Sequence, residues 1–570
     1  MNSLLLAVLS IIGYILAYRL YGRFIGRKLF RLSAEAIMPS YEFQDGVDFV
    51  PTKKSIIFGH HFTTIAGLGP IVGPAIGVIW GWLPAFLWIF FGAIFMGAVH
   101  DFTTLVISAR NKGKTIGDLT GDIISPSTRY AFQFIMQFLL WIVISVFAMI
   151  VGLLFTMYPE SVFPVWMQIP IAVWLGWEIR RGKNLNLYSV IAVILMYITI
   201  IAGEYLPFEI PPLMGSPVVT WSIVLFIYVF FASTIPVHKL LQPRDYINSY
   251  QLVIAMILMF TGLIVAHPVI SAPAINPQAL APGTDIPDMM PLLFITIACG
   301  AISGFHSLAS SGTTVKQVQK ETDTLSIGYG GMILESVLAM LVIMAIAGGL
   351  GLGLEKDGRL FTGSEAFAHH YSSWASAQGL PAKINAFIIG AANLFESFGL
   401  PAHTGRSMIA VFIVCFANTS LDSATRIQRL SLQEIFRTKN NVVRKPFNNR
   451  YLATFFVVLA AALLTFLKPG AQGALILWPL FGSLNQLLAA LALAIVTVFL
   501  FKKKKNIIFT LIPMLFILVV TIWAMYQNLL DFIQNKETAL IILSAIILIL
   551  TLWLLVSCIV ALTKKNTDRE

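Results

Sequence analysis

The sequence predicts an all-α membrane protein, a polytopic bundle of about fifteen transmembrane helices at roughly 20 residues per crossing. Of the 570 residues, 57% are apolar and only 11% are charged. A soluble domain carries about 25% charged residues. This composition excludes a cytosolic enzyme with one compact core, a disulfide-stapled secreted domain and a disordered chain, since each needs a different balance of residues.

Apolar runs long enough to cross a bilayer recur along almost the whole chain. They lie near residues 3–24, 56–80, 84–109, 131–157, 161–178, 187–206, 218–238, 248–267, 291–312, 328–353, 384–417, 451–467, 475–501, 508–529 and 538–562. The run 384–417 is too long for one straight helix and is interrupted at 399–401. We expect it to cross once, as a broken helix or as a crossing with a re-entrant piece.

The basic residues fall on alternate connections between these runs, as the positive-inside rule requires. They are Lys53, Lys54, Arg110, Lys112, Lys114, Arg180, Arg181, Lys183, Lys239, Arg244, Lys316, Lys320, Arg426, Arg429, Arg437, Lys439, Arg444, Lys445, Lys502 to Lys505, Lys564 and Lys565. The N-terminus is therefore predicted outside and the C-terminus in the cytoplasm. This topology accounts for the net charge of +11, so no nucleic-acid partner is predicted.

The second predicted span contains two prolines and five glycines within Gly59–Gly77. Breaks of this kind free backbone groups that bind ions and substrates near the middle of the membrane. Close packing of a small-residue stripe is the alternative explanation. We expect non-helical backbone between about Thr64 and Pro74, facing the ninth span, with Gly67 and Gly69 in contact with the substrate.

The same span carries two adjacent histidines, His60 and His61, which are candidate substrate-binding residues. Neighbours on a helix point about 100° apart, so a regular helix cannot bring both to one metal ion. Hydrogen bonding within the protein is the alternative role. The three cysteines are scattered in apolar runs without ligand spacing. Neither a disulfide nor a metal site is predicted.

Ionisable residues inside the spans are candidates for coupling transport to an ion, because burying one charge costs at least about 2.5 kcal/mol. His100 and Asp101 end the third span, and Glu335 lies in the tenth. A structural ion pair is the alternative for Asp101. Glu396, just before the interruption at 399–401, is a candidate substrate-binding residue.

The ninth span is unusually rich in hydroxyl groups and also carries a histidine. His306 and Ser307 are candidates for substrate contact, and Ser310 and Ser311 could offer oxygen ligands to a sodium-like ion. Hydrogen bonds from each serine to its own helix are the alternative. Asp422 and Arg426, four residues apart, are expected to form a salt bridge along one helix.

Five segments together resemble motifs of the carbon starvation protein A family. They are Gly59–Gly77, Cys299–Gln317 with Glu321, Ile327–Glu335, Leu421–Gln428 and Trp478–Ala489. The resemblance implies a bacterial inner-membrane secondary transporter of the amino acid/polyamine/organocation superfamily. Members are associated with uptake of peptides or with proton-coupled uptake of pyruvate.

The superfamily resemblance also implies a LeuT-like core of two inverted five-helix repeats. We place the repeats in spans two to six and seven to eleven, so that residues 51–420 form the transport core. On this map the ninth span is the core helix that supplies hydroxyls to a sodium ion in related transporters. Residues 1–50 would form a peripheral span and a cytoplasmic loop, and residues 421–570 a basic loop with four appended spans.

The predicted function is therefore import of small peptides driven by a proton or sodium gradient, with pyruvate symport as the alternative. No cofactor is predicted, and the expected partners are the substrate and the bilayer. An ATP-driven pump is disfavoured, because Gly113-Lys114-Thr115 has Ser108 where a phosphate-binding loop needs its first glycine. A membrane sensor or an intramembrane enzyme is the remaining alternative, and the adjacent His306 and Ser307 give the enzyme only weak support. The sequence makes no prediction about oligomeric state.

Overall fold

A computed structural model describes residues 2–377, 379–438 and 443–563. The longer helices are α1 (Ser3–Phe30), α2 (Lys54–Ile65), α3 (Gly69–Trp80), α4 (Trp82–Arg110), α5 (Ile116–Ile123), α6 (Pro126–Met157), α7 (Pro159–Arg180), α8 (Leu185–Tyr205), α9 (Pro217–Thr234), α10 (Leu241–Ala266), α11 (Met289–Thr296), α12 (Gly304–Gly312), α13 (Glu321–Leu352), α14 (Gly363–His370), α15 (Leu380–Glu396), α16 (Ala402–Ile435), α17 (Arg450–Thr465), α18 (Pro469–Lys502), α19 (Ile508–Gln534) and α20 (Thr538–Thr563). A short antiparallel pair, β1 (Leu354–Lys356) and β2 (Arg359–Phe361), follows α13. Lys439, Lys564 and Lys565, which entered the charge argument, lie outside the described residues.

The predicted all-α, many-span fold is confirmed. Within the described residues, 12 helices are long and apolar enough to cross a membrane, and the bent pair α2–α3 makes a thirteenth. The shorter α17 is a further apolar helix, and the interrupted pair α11–α12 occupies the ninth predicted span.

Burial separates central from peripheral helices. In the most apolar window of α6, α13, α16 and α18, 83–94% of the residues are buried inside the protein, against 28% for α1, α8 and α20. A side chain that faces lipid needs no protein cover, so the exposed helices form the rim. The functional groups are therefore sought among the central helices and the broken ones between them.

The first broken helix lies where the glycines and prolines predicted it. Helix α2 ends at Ile65, α3 starts at Gly69, and the two are bent by 41°. Pro70 sits in the first turn of α3, where its missing N–H costs no hydrogen bond. A Cβ at Gly73 would lie 2.6 Å from the carbonyl oxygen of Thr296, so close packing and the break occur together.

The resemblance implies that the seventh span, which contains Pro236, opens the second repeat with a broken helix, but the second broken helix is in the ninth span. Helix α11 ends at Thr296 and α12 begins at Gly304, with non-helical backbone between them. In the seventh span, Pro236 lies beyond the end of α9, and the chain leaves that helix without resuming it in line. Proline terminates a helix as readily as it interrupts one, so the proline alone did not locate the break.

The same order of helices then occurs twice. A broken pair is followed by a long span, a shorter helix that doubles back, and a second long span: α2–α3, α4, α5 and α6, then α11–α12, α13, α15 and α16. Gly121 on α5 lies against Arg129 on α6, and Gly405 on α16 lies against Ala392 on α15. This order of helices favours a second repeat that opens at α11 instead of the seventh span, with α16 in the position of α6.

The run 384–417 resolves into two helices. Helices α15 and α16 pack antiparallel across a turn in which Gly399 has a φ of +95°. Of the two, only α16 is long and apolar enough to count as a span, which matches the expected crossing with an additional piece. The boundary expected at residue 420 falls inside α16, which continues to Ile435.

Candidate functional site

A cavity of about 310 Å³ lies between the two broken helices. It is bounded by α3, the second half of α6, α11 and the backbone that follows it, the start of α15, the middle of α18 and the end of α19. Most of its wall is apolar, including Val72, Phe147 and Ile295. A mostly apolar cavity with a few convergent polar groups is typical of small-molecule binding sites.

Few polar side chains reach this cavity. They are Lys383, Asn485, Asn528, Thr296 and Cys299. Asn485 Oδ1 accepts a hydrogen bond from the backbone N–H of Phe305 at 2.9 Å, and its Nδ2 donates to Ser303 Oγ at 3.0 Å. Asn485 thereby holds the first turn of α12 against the cavity floor. Of the predicted substrate-binding residues, Gly69 alone lines this cavity.

Four of the predicted coupling and binding residues form one buried chain of ionisable groups. Asp101 Oδ1 lies 2.8 Å from His100 Nδ1, and Asp101 Oδ2 lies 2.9 Å from His306 Nδ1. On its other side, His306 Nε2 is 3.4 Å from Glu335 Oε2. All four side chains are completely buried. The chain connects α4, α12 and α13 through groups that can exchange protons.

Several atoms of this chain have no hydrogen-bond partner. They are the Nε2 atoms of His100 and His306 and both carboxylate oxygens of Glu335. A buried polar atom left unpaired costs roughly 1–3 kcal/mol. Such an arrangement is unfavourable for stability alone, so these groups call for an explanation other than packing.

His60 and His61 lie away from the cavity wall. His60 Nδ1 is 2.5 Å from Asp245 Oδ2, within a second buried network on α10 and α16. Asp245 also contacts Arg244 at 3.1 Å, and Arg244 pairs with Asp422. His61 Nδ1 is 2.9 Å from Thr314 Oγ1. Both histidines therefore form contacts within the protein, which is the alternative role predicted for them from the sequence.

In the part of the chain that the structure describes, Asp422 and Arg426 do not form the expected salt bridge, so that prediction was wrong. Asp422 pairs with Arg244 on α10. Arg426 lies 2.7 Å from Asp48, which precedes α2. Both are fully buried among other helices, where a partner across the interface is nearer than one along the same helix.

The serines of the ninth span mostly satisfy their own helix. Ser307 Oγ donates to Gly304 O, and Ser311 Oγ donates to Ser307 O, both at 2.7 Å. Ser311 Oγ also accepts the N–H of Ile116 at 3.0 Å. Only Ser310 Oγ is buried without a partner. Helix back-bonding thus accounts for Ser307 and Ser311.

The hydroxyls that face the first break come from α16 instead. Ser420 Oγ donates to Thr64 O at 3.3 Å, and Ser423 Oγ lies 3.2 Å from Thr64 Oγ1. A Cβ at Gly67 would meet Ser420 Oγ at 2.4 Å. Sequence reasoning missed this position, although Ser420 and Ser423 lie beside or within the motif Leu421–Gln428.

Glu396 lies away from the cavity. Its side chain is exposed at the end of α15, beside the turn that leads to α16. The interruption at 399–401 forms that turn at the surface of the protein. Lys383 and Trp374, which do line the cavity, both lie in the connection between the apolar runs 328–353 and 384–417.

The opposite end of the bundle is closed by ion pairs between the basic connections. Asp48 lies 2.7 Å from Arg426 and 2.8 Å from Arg429, and Arg110 lies 2.6 Å from Glu321. Burial alone would raise the pKa of Asp48, but the two guanidinium groups hold it well below its usual range. None of these residues lines the cavity, and we refer to this ion-paired end of the bundle as the sealed end.

No group of three or more His, Cys, Asp and Glu side chains in the described ranges is placed to hold a metal ion.

A bundle of apolar spans with two broken helices around a central cavity is the architecture of the LeuT-like fold. A solved structure of a manganese transporter from Eremococcus coleocola shares this fold with a TM-score of 0.51 at 11% identity, covering 91% of this chain and 99% of the other. The description "Carbon starvation protein CstA" applies to the family whose pattern matches residues 2–524. The chain belongs to this family.

Relatives in this family are similar over most of their length. "Peptide transporter CstA" of Campylobacter jejuni is 33% identical, over 94% of this chain and 82% of that protein. "Peptide transporter CstA" of Bacillus subtilis is 30% identical over 99% of this chain and 97% of that protein. "Pyruvate/proton symporter BtsT" of Escherichia coli is 32% identical, over 92% of this chain and 81% of that protein.

Proposed function

We propose that this chain is a secondary active transporter that imports small peptides across the bacterial inner membrane, driven by a cation gradient. One observation carries the proposal: the cavity between the broken helices adjoins the buried chain of His100, Asp101, His306 and Glu335. Asn485 is the bridge, since it lines the cavity and binds the backbone next to His306. The names of the relatives support peptides as the substrate class.

Protons are the coupling ion that this site favours. Asp101 is held between two imidazoles; the outer nitrogen of His306 faces Glu335 at 3.4 Å, and that of His100 has no hydrogen-bond partner among the described residues. A proton that binds to either ring changes the net charge of this buried chain of ionisable groups. We expect that change in charge to alter how α12 packs against α4 and α13. Sodium is the alternative, with ligands from Ser420, Ser423 and the backbone at the first break.

Pyruvate remains the second candidate substrate, because one relative is named as a pyruvate/proton symporter. The cavity has a volume of about 310 Å³. This is more room than a three-carbon acid needs. The size of the cavity therefore favours di- and tripeptides.

We also propose that the ion-paired end of the bundle faces the cytoplasm, with the N-terminus outside. The basic connections meet at this end, as the contacts of Asp48 with Arg426 and of Arg110 with Glu321 require. The positive-inside rule assigns such an end to the cytoplasm. In this orientation the described conformation has its cavity towards the outside.

The proposal is tested with purified protein in proteoliposomes. Uptake of labelled di- and tripeptides and of pyruvate is measured under an imposed proton gradient, an imposed sodium gradient and no gradient. We expect accumulation of peptides with the proton gradient alone. Accumulation of pyruvate but not of peptides would show that pyruvate is the substrate instead of peptides. Accumulation of neither would contradict the proposed transport function.

A further inference from the structure

Lys383 is a buried cation that the coupling chain does not use. It lies on the first turn of α15, its residue is 9% exposed, and it lines the cavity between the broken helices. No described residue forms a hydrogen bond or ion pair with its ammonium group. Because α15 is not one of the candidate spans, Lys383 reaches the cavity from a connecting segment.

The wall of the cavity offers this lysine no negative partner. Among the described residues that line the cavity, none is an aspartate or a glutamate. Burial lowers the pKa of Lys383 to about 8. A buried ammonium without a counter-ion is costly, and a bound anion would remove that cost.

We infer that Lys383 binds the carboxylate group of the transported solute, an inference that rests on the proposed function. The N-terminus of α3 at Gly69 borders the same cavity and adds a second, weaker attraction for negative charge. The aromatic rings of Trp374 and Trp478 supply apolar surface for the rest of the molecule. A peptide presents its C-terminal carboxylate to this lysine, and pyruvate would present its only one.

The test compares a free acid with its neutral amide. Uptake of Ala-Ala and of Ala-Ala amide is measured in the parent protein, in Lys383→Met and in Lys383→Arg. Lys356→Met is the matched control, because Lys356 is exposed on β1 and its loss removes the same charge.

We expect the parent to prefer the free acid by about tenfold, as one charge-assisted hydrogen bond implies. Lys383→Met should raise the KM for the free acid by about that factor and leave the amide unchanged, so that the preference disappears. Lys383→Arg should keep it, as should Lys356→Met. A Lys383→Met variant that still prefers the acid would overturn the inference while the proposed function stands.

A binding measurement separates the two ideas if transport fails. Thermal unfolding of the purified parent and of Lys383→Gln, a second neutral variant, is followed with Ala-Ala, Ala-Ala amide, pyruvate and pyruvamide. Stabilisation by the acids alone, lost in Lys383→Gln, supports the inference even if the parent transports neither substrate. Equal stabilisation by acids and amides, or no stabilisation by any of them, contradicts it.

Discussion

The imidazole of His306 on α12 lies 2.9 Å from the carboxylate of Asp101 on α4. This contact joins the helix that follows the second break to the span that follows the first. Both groups are completely buried, so a proton gained or lost by the pair cannot be compensated by water. The charge of the pair therefore bears directly on how the two halves of the bundle pack.

Asp101→Asn keeps the shape of the side chain and removes its charge. We expect the variant to fold and insert, and to equilibrate substrate across the membrane, but to lose accumulation against a gradient. Proteoliposome uptake with and without a proton gradient measures this. Asp122→Asn is the control, since Asp122 forms an exposed pair with Lys114. Unchanged accumulation in Asp101→Asn would show that Asp101 has a structural role.

The ion pairs of Asp48 predict how the sealed end responds to pH. Because the pKa of Asp48 is lowered in the folded protein, its stabilising effect is present above the ordinary carboxyl range of about 3.9 and is lost as pH falls through the lowered value. The seal should therefore be insensitive to pH between about 5 and 8.

Asp48→Asn should open the same end at neutral pH, because removing one partner of a buried pair costs about 3–5 kcal/mol. Hydrogen exchange of residues 421–435, where Arg426 and Arg429 lie, measures the loosening. Exchange there should rise in Asp48→Asn and stay at the parent rate in Asp122→Asn. If pH 5 alone raised exchange in the parent, the assignment of the seal to Asp48 would fail.

The serines distinguish the two coupling ions. Under proton coupling, we expect uptake by the parent to be the same in sodium-free and sodium-containing buffers, and Ser310→Ala and Ser311→Ala to retain this behaviour. If sodium binds at the first break, Ser420→Ala should raise the sodium concentration for half-maximal uptake by about tenfold, the effect of losing roughly 1.4 kcal/mol. A sodium titration at fixed pH decides between these results.

Gly73 tests how closely the broken helices must approach. A methyl group there would lie 2.6 Å from the backbone carbonyl of Thr296, which cannot rotate away. Gly73→Ala should lower stability by about 1–3 kcal/mol and reduce uptake. Gly330→Ala is the control, because its nearest neighbour is a ring atom of Tyr18 at 3.5 Å and α13 should gain from alanine. Thermal unfolding and uptake of both variants provide the comparison.

The fold could be predicted because hydropathy, charge alternation and glycine content act locally. The first break is visible in the sequence, since Pro70 and four glycines lie within a few residues of one another. The second break is harder to see, because Ile297–Ser303 has one glycine and no proline. Its backbone is held open by contacts from a distant helix, such as the hydrogen bond between Asn485 and Phe305.

The site could be predicted only in part, for a similar reason. Asp101, His306 and Glu335 could be identified from the sequence because ionisable residues are rare inside apolar spans. Lys383 could not be identified in this way, because it lies in the connection before the run 384–417 and reaches the cavity only when α15 doubles back. Asp422 and Arg426 were assigned to each other from their spacing, whereas the folded chain brings nearer partners from elsewhere.

Within three turns, helix α16 contacts the first break, the buried Arg244 network and the ion-paired end of the bundle. Its Ser420 and Ser423 meet the first break, Asp422 meets Arg244, and Arg426 meets the sealed end. Inserting or deleting one residue upstream of this stretch would turn all of these contacts by about 100° at once. Point substitutions at other positions of α16 would leave the orientation of these side chains around the helix axis unchanged. Across homologous chains, the length of this stretch should therefore vary much less than its composition.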